Sequence, residues 1–268
     1  MNPKFRNGVT NIGILCGFAS LDEAGRLRVH QTACRENALP LELSPEVRGP
    51  EYDYEPVLAI YRAEPTPDPK MPVFRALHVT RMPRSLRPKT FAWNSRAWPL
   101  NLAFYPFRPD KAGELTADLA AALVEQPALP EWLVEACAQD DLLAELLARP
   151  SGNKHLPNRL ILTGEVQPQA LVHVDAPLDE SEGSVYLAAQ VRQPGDRHSI
   201  EVRLHPGLEG YTFWARALEK GGARGYPATL VIKPWLRVAH ENECVTRSAL
   251  ELRVLEANVV APADLAEV

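Results

Sequence analysis

The chain has 268 residues, 46% of them hydrophobic and 24% charged, with a formal net charge of −5. This is the composition of a folded globular protein of one large or two ordinary domains, and its negative balance argues against a protein that coats duplex DNA by charge alone. No apolar run reaches the ~18 residues of a membrane span, and the opening MNPKFR lacks the apolar core of a signal peptide, so a cytoplasmic protein with no membrane partner is expected.

The first region, 1–110, reads as β-rich. VTNIGILCGF (9–18) is a first strand, and RLRVHQT (26–32) alternates apolar and polar positions after the turn Asp22-Glu23-Ala24-Gly25, which together predict a hairpin. Residues 38–56 are rich in Pro, Glu and Gly and read as a long loop. Residues 57–62 and 73–81 predict two more strands across the loop EPTPDP (64–69). The 25 prolines break up long helices everywhere except 111–150. There the apolar positions of 113–148 recur near a 3.6-residue period, interrupted by Pro127 and Pro130, which predicts two amphipathic helices.

The last region, 151–268, predicts five strands and one helix in the order 159–164, 184–193, 199–204, helix 210–220, 229–238 and 250–260. Three strands, a helix and two strands is the order of an OB-fold barrel, which binds single-stranded nucleic acid or oligosaccharide around its second and third strands. The openings of the two regions can also be aligned. VTNIGILCG (9–17) and LPNRLILTG (156–164) both place Asn before an apolar run that ends in Gly, which hints at a duplicated barrel. The expected fold is therefore mainly β, with two OB-like barrels, or one barrel and one irregular β-domain, and a two-helix segment between them.

The run NRLILTGEV (158–166), and GYTFWARALEKGG (210–222) followed by the strand 228–238, resemble the single-stranded-DNA-binding protein family and its OB-fold relatives. The resemblance implies single-stranded nucleic acid as the partner, DNA in preference to RNA, and oligomeric assembly. The chain departs from the bacterial members at its last residues, APADLAEV, which lack their long acidic tail with an aromatic tip. A mobile-element relative or a subunit of a larger complex fits better than a housekeeping replication protein.

The candidate binding residues fall in two places. Residues 84–108 interleave bases with rings, and Arg84, Arg87, Lys89, Trp93 and Arg96 are the candidates there. Aromatic faces stack bases while Arg and Lys follow phosphates, although the same rings serve equally well as core. In the last region the candidates are Tyr186, Arg192, Arg197, Arg203, Trp214 and Arg216. Alternation along 184–193 puts Val185, Leu187, Ala189 and Val191 on one side and Tyr186, Ala188, Gln190 and Arg192 on the other, which predicts that the second set points outward.

Nothing competes as chemistry. The cysteines Cys16, Cys34, Cys137 and Cys244 form no CxxC pair and read as free thiols. His173 and Asp175 have no third ligand nearby for a metal, and neither a GxSxG nor a nucleotide-binding lysine loop is present. The expectation is a non-enzymatic binding protein with no cofactor and no metal. The alternative is an assembly subunit that binds protein partners through its β-surfaces.

Overall fold

A computed structural model describes residues 11–30, 38–51, 55–81, 158–173, 185–220, 224–241 and 244–259. The expected helices of 113–148 and the aromatic stretch 84–108 lie outside these residues. What is described is mainly β: ten strands and one short helix. It falls into two units, one from Ile12–Arg62 and Phe74–Arg159, the other from Met1–Asn11, Ala63–Val73 and Leu160–Val268.

In the C-terminal unit the strands are β6 (Asn158–His173), β7 (Val185–Arg192), β8 (Ile200–Leu204), β9 (Tyr226–Glu241) and β10 (Cys244–Val259). β7 pairs antiparallel with β6 and with β8, β8 runs parallel to β10 at Arg203↔Arg253, and β9 pairs antiparallel with β10 and with β6. The ladder returns to its first strand, so the sheet closes into a five-strand barrel. Its core comes from every second residue: Leu160 and Leu162, Leu187 and Ala189, Val202 and Leu204, Leu230 and Ile232 all have no exposed surface. β6, β9 and β10 are 16 residues each, longer than the sequence suggests. Pro168 would ordinarily end a strand, but it sits at a register shift, Pro168/Ala170, where the missing N–H is tolerated.

The helix α1 (Tyr211–Glu219) joins β8 to β9. It begins after Gly210, whose φ of 77° suits glycine. Trp214 and Ala217, three residues apart, are its buried face. Phe213 and Trp214 meet Tyr226, at the start of β9, edge to face with ring centroids 5.3 and 6.2 Å apart. This aromatic cluster fixes the helix to the barrel.

The N-terminal unit holds β1 (Asn11–Leu21), β2 (Leu27–His30), β3 (Leu39–Leu43), β4 (Glu55–Glu64) and β5 (Val73–Arg81). β1 pairs antiparallel with β2 and β4, β2 with β3, and β3 runs parallel to β5, which neighbours β4. The turn between β1 and β2 is held by Asp22, whose Oδ1 accepts the N–H groups of Ala24 and Arg26 at 3.0 and 2.9 Å. β3 falls inside the stretch expected to be a long loop, so that expectation is corrected: LPLEL pairs with β2 and β5 despite Pro40. The fully buried Tyr61 lies across from Gly13, with its ring in the space a Cβ on Gly13 would need. Glu55, also buried, pairs with Arg81 at 2.5 Å and accepts the Glu51 N–H at 2.8 Å.

Candidate nucleic-acid interface

The outward face of β7, β8 and β10 gathers several of the residues singled out in the sequence. Leu187, Ala189 and Val191 face the core as alternation requires, which turns Tyr186 and Ala188 outward. Tyr186 is nevertheless only 6% exposed. The Arg203 guanidinium stands 4.4 Å from its ring centroid, and the His205 ring lies 5.9 Å away. Glu251 of β10, 5% exposed, closes the cluster: its Oε1 is 3.0 Å from His205 Nε2 and its Oε2 is 3.7 Å from Arg203 Nη1. Burial raises the Tyr186 hydroxyl above its ordinary pKa, with Arg203 opposing the shift and Glu201 and Glu251 adding to it, so the phenol is neutral at pH 7. Burial likewise raises the Glu201 carboxyl, against the pull of Lys70 and Arg203.

A second feature is a groove of about 570 Å³, formed by the middle of β6, the end of β7 and the start of β9. Glu165 and Arg192 face each other across it at 3.3 Å. Gln193 is tied down on both sides: its Nε2 donates to the Thr163 carbonyl at 3.0 Å, and its Oε1 accepts from Asn11 Nδ2 at 2.8 Å. The turn beyond it carries Gly195, with φ of 88°, and the exposed Arg197.

The expected residues thus separate. Tyr186 and Arg203 come together, Arg192 and Arg197 lie at the groove and its turn, and Arg216 is exposed on α1. Trp214 is corrected: at 1% exposure it is the anchor of α1 and offers no face to a base. Tyr186 is corrected from an open platform to a ring already covered by Arg203. Arg84, Arg87, Lys89, Trp93 and Arg96 lie outside the described residues.

Sequence reasoning passed over Lys233, Trp235 and Arg253. The Trp235 side chain is exposed, with Lys233 Nζ 4.1 Å from the ring centroid, and Arg253 pairs with Lys233 across β9 and β10. Alternation within 229–238 contains the signal, because Lys233 and Trp235 are two residues apart and share a face. Among the described residues no group of His, Cys, Asp and Glu could hold a metal ion, and no helix is long and apolar enough to cross a membrane. No protein-family model matches the sequence, and no curated protein matches it either.

Proposed function

We propose that this chain binds single-stranded nucleic acid, DNA in preference to RNA, on the outward face of its C-terminal barrel, and that both five-strand sets are OB-type barrels. Support for the fold reading comes from strand order. Counting each set from its own first strand, the ladder runs 1-2-3-5-4 and back to 1, with the 3–5 pair parallel. Registers agree as well. Gly17↔Val57 and Phe18↔His30 in the first set correspond to Gly164↔Ala228 and Glu165↔Arg192 in the second.

The observation that carries the binding reading is a row of three cations. Arg203 pairs with Arg253, and Arg253 with Lys233, so like charges stand opposite one another across β8, β10 and β9. Like-charged cross-strand neighbours are unfavourable; Glu251 offsets Arg203 from 3.7 Å, and a phosphate backbone laid along the row adds counter-charge beside Arg253 and Lys233. Strands ~4.8 Å apart spread the three charges over about 10 Å, a span of one to two nucleotides. A chain with a net charge of −5 needs such a local concentration to attract a polyanion.

Fluorescence anisotropy of a labelled oligo(dT) of about 30 nucleotides tests the proposal, with a duplex of equal length as competitor. The expected result is single-strand binding that weakens as salt rises, because each neutralised phosphate releases counterions. Absence of binding at low salt, or equal preference for duplex, overturns it and favours the protein-binding subunit instead.

A further inference from the structure

The single-strand reading needs a ring on which bases can stack, and the two rings the sequence suggested in this barrel are covered. Trp214 is in the core, and Tyr186, beneath Arg203, is only 6% exposed. The large hydrophobic side chains exposed among the described residues are Leu21, Met71, Leu171 and Trp235, and of these only Trp235 is aromatic, at 39% exposure.

Its surroundings suit an anionic strand with unpaired bases. Lys233 covers one part of the indole as a cation–π partner. Glu251 stands opposite Trp235 in the ladder, but its carboxylate is turned to His205 and Arg203 and is buried, so it presents little negative charge to a ligand. The next row of the ladder is the cation row itself: Lys233 opposite Arg253, which is opposite Arg203. Ring and cations are therefore two residues apart along β9, about 7 Å, roughly the distance from a base to its own phosphate.

We propose that Trp235 is the ring on which an unpaired base stacks, and that Lys233 and Arg253 hold the phosphates beside it. This rests on the single-strand reading and adds to it the contact that separates a base from a bare polyanion. An acidic protein segment could satisfy the same cations and pack on the same indole, so the dependence on bases is what separates the two.

The test compares oligo(dT) with an abasic oligomer of the same length, which keeps the phosphates and lacks the bases. Wild type, Trp235→Ala and Trp235→Phe are titrated at low salt, with circular dichroism to confirm that each is folded. Stacking predicts that Trp235→Ala weakens oligo(dT) binding about tenfold, that Trp235→Phe recovers most of the loss, and that binding of the abasic oligomer is unchanged. Lys233→Gln and Arg253→Gln give a second measurement that does not depend on the indole: each lowers the slope of log K against log salt by about one. If wild type binds oligo(dT) and Trp235→Ala binds it equally well, or loses the abasic oligomer to the same extent, the stacking assignment fails while the single-strand reading stands. If wild type binds neither probe, both fail.

Discussion

The N-terminal and C-terminal strand sets share a register but not a surface. In β1 a Cβ on Gly17 would lie 2.5 Å from the His30 carbonyl oxygen and 2.7 Å from Val29 Cγ1. In β6 a Cβ on Gly164 would lie 2.7 Å from the Arg192 carbonyl oxygen and 3.0 Å from Val191 Cγ1. Both glycines stand one residue before a matching cross-strand pair, Phe18↔His30 and Glu165↔Arg192, so the same close approach of backbone to backbone recurs. On the opposite face of these strands the chemistry diverges. Ile14, Cys16 and Phe18 are buried, whereas at the corresponding positions Ile161 is buried, Thr163 is half-buried and Glu165 is exposed and paired with Arg192. The lesson is that inward residues and a few glycines dictate the ladder, leaving the outward residues to decide whether a face is sealed or open to a ligand.

The difference between the two strand sets shows in how they respond to substitution. The largest effect is expected at the first set's own core. Tyr61→Ala opens a cavity over Gly13 and costs about 4 kcal/mol in chemical unfolding, and a loss below about 1 kcal/mol shows that the ring does not seal that end. Next is the divergent pair. Phe18→Ala costs about 3 kcal/mol, whereas Glu165→Ala, which breaks only an exposed ion pair, stays within about 0.5 kcal/mol. Comparable losses at the two positions contradict the contrast between sealed and open faces.

The glycines test the shared register. Gly17→Ala and Gly164→Ala each push a methyl group against backbone and cost about 2 kcal/mol. A tolerated methyl at one of them and not the other separates the two ladders. The smallest signal is chemical. Burial raises the Cys16 thiol far above its ordinary pKa, so it reacts with a disulfide reagent only when the protein opens. A cysteine introduced by Thr163→Cys at the corresponding position is expected to react about tenfold faster or more in the native protein, and equal rates count against the difference in exposure.

Much of the ladder was legible because alternation and turn chemistry are local. β5 coincides with the expected strand at 73–81, and the β1–β2 turn lies where the Asp22 to Gly25 sequence puts it. β3 was hidden because its five residues carry a proline and part of its ladder comes from β5, far along the chain. The alignment of 9–17 with 156–164 acquires a physical reason in the contacts of Gly17 and Gly164. The site was less legible. Alternation put Tyr186 on the side opposite Leu187 and Ala189, but only the fold shows that it is buried beneath Arg203. Trp214 and Ala217 reveal a buried stripe by their spacing, yet a nine-residue helix leaves the choice of face open until Tyr226 is seen against it. Trp235 and Lys233 are plain in alternation, but the dense basic and aromatic run of 84–108 outweighs them in a sequence taken by itself.

The most direct test is hydrogen exchange of the whole chain, followed peptide by peptide, with and without saturating oligo(dT) of about 30 nucleotides. Slower exchange is predicted in peptides of β8, β9 and β10 that contain Arg203, Lys233, Trp235 and Arg253, with β1 and β4 unchanged because Ile14, Cys16, Phe18, Leu58 and Ile60 on their outward side are already buried. Protection in β1 and β4 while β9 and β10 stay unchanged, or no protection anywhere, contradicts it.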